Sequence, residues 1–332
     1  MKRQINRLKQ INVMPLASES FGVRSMCTFV QTPDVALLLD AGVSLCPWRF
    51  NLPPHPVEFQ AIESFRKKIA NAADKAQIIT LSHYHYDHHT PSFEDWIVNW
   101  TVEKETARQI YQDKTLLIKS PMENINSSQQ GRAKVFLKTG AKYAKEVHEA
   151  DGKVFRYGNT QIHCSKVVPH GEDNSAMGYV IMTTIDYGDE RFMFAPDVQG
   201  PMSNCVQQQV LESRPLMIML GGPPFYLADF RVSNASLQNA VSNLRGVVEA
   251  VPVTIVEHHA LRDEFFKQKM VSVQICADGV GHEFLTAAEF VGCENRFLEV
   301  GRRSLYELFP PSEEFRVWMK CLGDGVFCRP PI

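Results

Sequence analysis

A short apolar run, Ala76-Gln77-Ile78-Ile79-Thr80-Leu81, passes without a break into Ser82-His83-Tyr84-His85-Tyr86-Asp87-His88-His89-Thr90. The first part has the length and β-branched content of a buried strand. The second packs four histidines and an aspartate into residues 83–89. The histidines therefore begin where a strand ends, and in open α/β sheets that edge is where ligands bind.

The rest of the chain supplies partners for such a strand. Residues 27–32 and 35–40 read as strands joined by the turn Thr32-Pro33-Asp34, and the second closes on Asp40-Ala41-Gly42. Asp40 at that strand end is either a turn former or a hydrogen-bond acceptor for a neighbouring ligand. Residues 57–73 place Phe59, Ile62, Phe65, Ile69 and Ala73 at the spacing of one helical face. Residues 93–112 and 129–150 read as helices, the second with Asn126 to Ser128 as its cap region, and 116–118 as a short strand. Strands are expected at 154–157, 161–168, 178–186, 191–195, 216–220 and 253–256. Residues 186–190 connect two of them as a hairpin. Helices are expected at 204–213 and 233–250, and 262–332 reads as mostly helical. Two series of strands interleaved with helices predict α/β layers around stacked sheets in one domain, with no repeat or low-complexity linker.

Composition narrows the function classes. The chain of 332 residues has 35 basic and 37 acidic side chains, a net charge of −2. No global basic field marks it for nucleic acid, although a local groove remains open. No run of about 18 apolar residues exists, and no apolar segment follows the basic start at residues 1–7, so neither a membrane span nor a signal peptide is expected. The eight cysteines lack paired zinc-finger spacing and read as reduced thiols of a cytoplasmic protein.

Four segments place metal-type ligands directly after strand-like runs: His83, His85, Asp87 and His88; His170 after Val167-Val168-Pro169; Asp197 after Met193-Phe194-Ala195-Pro196; and His258 or His259 after residues 254–256. Four such ends point to one shared rim. Imidazole and carboxylate suit Zn²⁺, Mn²⁺ or Fe, and the lack of thiolates disfavours a closed structural zinc site. His83 and His85, two apart, project to the same side of an extended backbone and can grip one ion. Asp87 and His88, beyond the turn, can face a second, and a carboxylate such as Asp197 can bridge the pair. Two ions clamping a hydroxide would serve hydrolysis.

The motif from Ser82 to His88 resembles the HxHxDH signature of the metallo-β-lactamase-fold hydrolases. His170, Asp197 and the His258/His259 pair follow in that family's order, and Asp40-Ala41-Gly42 is similar to its strand-end Asp-x-Gly. The resemblance covers roughly residues 10–260, and the whole chain is most similar to a mainly archaeal branch of the superfamily. It implies a four-layer αβ/βα sandwich, two central mixed β-sheets flanked by helices, with metals at one edge. It puts His83, His85 and His170 on one metal. Asp87, His88 and a late histidine fall on the other, with Asp197 between them. His258, nearer the strand end, is favoured as the late ligand. His259 then contacts a ligand or the substrate, as His89 can.

The expectation is therefore a single domain over 1–332, with a helix-rich insert at about 91–150 and a helical extension at about 262–332. Its function is that of a cytoplasmic hydrolase with two divalent ions, zinc first and manganese or iron as alternatives. Asp87 serves as ligand and proton carrier. The substrate class is a nucleic acid or small phosphodiester or ester, with lactone or lactam hydrolysis and non-catalytic metal binding as the other readings. Tyr84 and Tyr86 are expected in the core, and Gly221-Gly222-Pro223-Pro224 as a structural loop. His55, His148, His163 and His282 are expected to be ordinary, and Arg24 and Arg262 solvated.

Overall fold

The alternation of side chains along each strand sorts the core into layers. In the computed structural model, which describes residues 8–173, 176–323 and 328–332, the first half forms a six-stranded sheet. Its strands are β1 (Asn12–Pro15), β2 (Thr28–Gln31), β3 (Ala36–Leu39), β4 (Ile78–Leu81), β5 (Thr115–Ile118) and β6 (Glu146–Glu149), in that spatial order. The second half forms a seven-stranded sheet from β7 (Val154–Tyr157), β8 (Thr160–Cys164), β11 (Thr183–Tyr187), β12 (Glu190–Ala195), β13 (Met217–Gly221), β14 (Val253–Glu257) and β15 (Glu283–Leu285). β9 (Val168–Pro169) and β10 (Tyr179–Val180) make a small antiparallel pair beside it.

Leu37, Leu39 and Ile78 of the first sheet meet Phe192, Phe194, Met217, Met219 and Ile255 of the second in one buried cluster. Their neighbours along the same strands point the other way, Leu38 and Ile79 into one outer cluster and Met193 and Ile218 into another. A period of two puts successive residues on opposite faces, so both sheets are buried on both sides. Helices close the outside: α1 (Pro56–Ala73), α2 (Glu103–Tyr111) and α3 (Ser127–Lys138) over the first sheet, α4 (Asn204–Ser213) and α5 (Asn234–Ala250) over the second. The result is the four-layer αβ/βα sandwich of the metallo-β-lactamase fold.

α1 starts where its sequence dictates. His55 caps it, Glu58 returns a bond to the His55 N–H, and Pro56 holds the first turn. Its face of Phe59, Ile62, Ile69 and Ala73 is buried. Two expected helices are shorter than their composition suggests. Residues 93–102 form turns held by an Asp95–Thr101 bridge, and the helix begins only at Glu103. The helix expected over 129–150 stops at Lys138, and β6 follows. Residues 91–150 therefore extend the first sheet by β5 and β6.

Residues 262–332 contain α6 (Phe266–Lys269), α7 (Val271–Val280), the strand β15, α8 (Ala287–Phe290), α9 (Arg302–Leu308) and α10 (Glu313–Gly323). They cross back to the first half. Arg302, fully buried, makes two hydrogen bonds of 2.8 Å to Glu58 on α1. Phe315 and Trp318 pack on Phe59. No helix among the described residues is long and apolar enough to cross a membrane. The basic start at residues 1–7 lies outside the described residues.

Candidate metal centre

β3 runs parallel to β4, and β12, β13 and β14 run parallel to one another, so their carboxyl ends open on a common rim. The histidine loop leaves β4, Asp197 follows β12, and His258 follows β14 directly. His170 is delivered by the small β9–β10 pair, where its N–H bonds the Gly178 carbonyl. Asp40, Asp197 and His258 all have left-handed backbones, with φ of 49°, 52° and 64°. Such conformations cost roughly 1–3 kcal/mol each for residues with a side chain and cluster where function requires them.

Asp197 is the hub. Its Oδ2 lies 3.0 Å from His83 Nε2, 3.0 Å from His170 Nε2, 3.3 Å from His88 Nε2 and 3.8 Å from His85 Nδ1. Its Oδ1 lies 2.9 Å from His258 Nε2 and 3.3 Å from His259 Nε2. Asp87 Oδ2 is 3.5 Å from His258 Nε2, and the Nε2 atoms of His88 and His258 are 3.4 Å apart. Two neighbouring sets result. His83, His85, His170 and Asp197 form one, and Asp87, His88 and His258 the other, each with its ligand atoms within 4.8 Å of one another. Asp197 also groups with both His258 and His259. All eight candidate residues, the favoured His258 and its alternative His259 among them, are thus brought together.

The outward nitrogens explain which atoms face inward. His83 Nδ1 donates to Ser82 Oγ at 2.9 Å, and that hydroxyl donates to Asp40 Oδ2 at 2.5 Å. His88 Nδ1 donates to Asp40 Oδ2 at 2.7 Å, and His258 Nδ1 to Glu19 Oε2 at 3.1 Å. The Gln199 amide lies 3.2 Å from His170 Nδ1, and Tyr226 Oη 2.9 Å from His259 Nδ1. A proton held at Nδ1 leaves Nε2 with a lone pair. Several lone pairs then face the carboxylate oxygens of Asp197. Its Oδ1 is fully buried and, despite the 2.9 Å approach of His258, has no hydrogen bond of acceptable geometry. A knot of acceptors facing acceptors is unfavourable unless a cation sits among them. Donors about 3.3 Å apart are what bonds of 2.0–2.1 Å to one ion require. The site therefore fits divalent metals.

Electrostatics agree. Burial alone would raise Asp197, but His258, His170, His88 and His259 hold its carboxyl well below the usual range. Burial would lower His258, yet Asp197 and Glu19 push it up to about 9. His88 is likewise raised, against its burial, by Asp197, Asp40 and Asp87. His83, His85 and His259 go the other way, pushed below the usual range mainly by burial, so the carboxylates favour positive charge at His88 and His258, where a bound cation would take the place of their protons.

Other residues fall differently. Asp40 is the buried acceptor for its ligand neighbours. His89 belongs to neither set; its Nδ1 bonds the His85 carbonyl, and burial pushes it down to about 3. Tyr84 is buried and donates to the Lys119 carbonyl, while Tyr86 is half-buried under the Arg132 guanidinium. Gly221 is more than loop filler, because a Cβ there would meet the Asp197 backbone nitrogen at 2.8 Å. His55 caps α1, and His148, His163 and His282 make ordinary polar contacts. The expectation of solvated arginines is corrected. Arg262 is 4 % exposed, donates to Glu19 at 2.7 Å and reaches Asp87 at 3.3 Å. Arg24 forks onto Glu299 at 2.6 and 2.7 Å. Arg262 is buried and Arg24 half-buried, each against a carboxylate distant in sequence. Glu19 is the residue that sequence reasoning missed. It stands in a single 3-10 turn, Glu19–Phe21, with no ligand motif near it.

A two-sheet sandwich with this histidine–aspartate cluster on its rim defines a protein of the metallo-β-lactamase fold. The chain belongs to the UPF0282 family. It is 42% identical over 295 residues to the UPF0282 protein of Methanopyrus kandleri, spanning 89% of this chain and 99% of that protein. It is 41% identical over 296 residues to that of Methanocaldococcus jannaschii, spanning 89% and 96%. No family model matches the chain. Among solved structures it is similar to unliganded yeast PDE1, with a TM-score of 0.48 and 13% identity over 84% of this chain and 96% of that one. It is also similar to Tm1679, described as a metal-dependent hydrolase of the beta-lactamase superfamily, with a TM-score of 0.44 and 12% identity over 84% and 95%.

Proposed function

We propose that this chain is a metal-dependent hydrolase with two ion subsites, acting on a phosphodiester or ester-type bond. The observation that carries the reading is the convergence of ligand atoms from separate strand ends on Asp197. His83, His85 and His170 would hold one ion, zinc first among the candidates, with manganese or iron as alternatives. Asp87, His88 and His258 would hold the other, with Asp197 shared. The two ions, when bound, supply Lewis acidity toward the electrophile and an activated water.

The chain's own residues do the rest. Asp40, Ser82 and Glu19 hold the Nδ1 protons and so aim Nε2 inward. Arg262 contacts the Asp87 carboxylate, which in this reading would take a proton from the nucleophilic water and return it to the leaving group. The guanidinium of Arg132 lies 4.8 Å over the Tyr86 ring, and that of Arg49 lies 5.5 Å over Tyr226. Two cations braced on aromatic faces beside ligand residues favour an anionic substrate, which ranks a phosphodiester or nucleic acid above a lactone or lactam.

The test combines elemental analysis by ICP-MS with a hydrolysis panel of labelled RNA and DNA, bis-p-nitrophenyl phosphate, a lactone and nitrocefin. Wild-type protein should carry two ions per chain and cleave a phosphodiester. The double change His83→Ala/Asp87→Ala should strip the metal and lower the rate by roughly a hundredfold or more. Retention of stoichiometric metal and full hydrolysis in that variant overturns the reading. Turnover of the lactone or nitrocefin alone selects small-molecule chemistry, and bound metal without turnover selects a non-catalytic role.

A further inference from the structure

The two subsites are built unequally. The set of His83, His85 and His170 is imidazole apart from the shared Asp197, positioned by Ser82, by the Gln199 amide and by its own loop. The set of Asp87, His88 and His258 abuts a buried ion pair. Glu19 Oε1 accepts from Arg262 at 3.0 and 2.7 Å. The same carboxylate accepts His258 Nδ1–H, at 2.9 Å to Oε1 and 3.1 Å to Oε2. Arg262 Nη2 continues to Asp87 Oδ2 at 3.3 Å. One carboxylate and one guanidinium therefore touch two of the three ligands of this subsite, and they touch none of His83, His85 and His170 among the described contacts. Glu19 is 6 % and Arg262 4 % exposed, so neither is screened by water.

The charges make the pair interdependent. A guanidinium beside a cation site repels the ion, and Glu19 cancels that repulsion. Without Arg262, a buried Glu19 and a half-buried Asp87 would be two carboxylates facing one histidine. Groups that hold a ligand histidine by its outer nitrogen typically change metal affinity 10–100-fold when removed.

Resting on the hydrolase reading above, we propose that the Glu19–Arg262 pair is the positioning element of the second metal subsite alone. Glu19 fixes His258, Arg262 fixes Asp87, and disabling the pair releases the second ion while leaving the first in place.

The test is a competition titration of metal-free full-length protein with Zn²⁺ against a chromophoric chelator, resolving two dissociation constants. The key variant is Glu19→Gln, which keeps an acceptor for His258 but leaves the Arg262 charge uncancelled. It should weaken the second constant at least tenfold and leave the first within twofold, so that limiting Zn²⁺ fills one site. Co²⁺ absorption should lose the bands of one site only. Arg262→Lys keeps the charge without the two-pronged fork and should shift the same constant by less; it also serves if Glu19→Gln melts early. Two ions bound with wild-type constants in both variants, or equal weakening of both sites, overturns the inference. A wild-type protein that binds fewer than two ions overturns the two-ion reading itself, and this inference with it.

Discussion

Asp40 shows how one side chain can govern a site without pointing into it. It is fully buried at the end of β3, and both its oxygens are used: Oδ1 takes the Ser82 N–H at 2.8 Å, and Oδ2 takes the Ser82 hydroxyl and His88 Nδ1. Asp40→Asn would turn one acceptor into a donor facing donors. The expected result is 10–100-fold weaker metal binding and a stability loss of about 1–3 kcal/mol, read by chelator competition and urea unfolding. Unchanged metal affinity would show that His88 is held by other means. The sequence alone left Asp40 with two roles, because an aspartate at a strand end suits a turn as well as a neighbour. Burial among donors decides between them. The ligands themselves were legible, since each follows an apolar strand within a few residues. Arg262 was not, because its partner Glu19 lies 243 positions earlier and no local spacing encodes that meeting.

Elements obey the same logic at longer range. The histidine loop crosses the end of β3 so closely that a Cβ on Gly42 would lie 2.3 Å from the His89 nitrogen and 2.5 Å from the His88 carbonyl carbon. Gly42→Ala must therefore push the loop off β3, at a cost of about 1–3 kcal/mol. Metal affinity should fall with it. Gly131, inside α3, has nothing within 4 Å of the equivalent position. Gly131→Ala should be neutral or stabilise by up to about 1 kcal/mol, with metal binding unchanged. Thermal melts of the two variants, each with a Zn²⁺ titration, check the contrast; equal melting temperatures would refute the close-approach argument. Strands and long amphipathic helices such as α1 were readable from periodicity. Residues 93–102 and 139–150 were not. Their mixed apolar and charged composition suits a helix, but the sheet takes β6 as an edge strand with all four residues exposed, leaving no alternation to read.

At the scale of the whole molecule, the two halves are tied by buried and half-buried ion pairs that sequence patterning does not mark. Glu19 meets Arg262, Glu58 meets Arg302, and Arg24 meets Glu299, each bringing a residue after 260 back to one of the first 60. The last of these gives the fold a defined acid sensitivity. Burial alone would raise the Glu299 carboxyl, but Arg24, with help from Arg262 and Arg302, pushes it down to about 2 from an ordinary 4.5. A carboxyl depressed on folding contributes stability that is fully present above pH 4.5 and is lost as pH falls toward 2. The contribution is on the order of 3 kcal/mol, with roughly three-fifths of it gone by pH 3. Glu299→Gln should remove it, since a neutral amide resembles the protonated acid. Urea unfolding of wild type and Glu299→Gln between pH 7 and pH 3 should show wild type the more stable at pH 7 and the gap narrowing by about 2 kcal/mol as pH falls. A gap that stays constant across that range would mean that the clasp between the C-terminal segment and the first sheet does not depend on the ionised pair. Its strength would then rest on Phe315 and Trp318 against α1, which carry no charge to titrate.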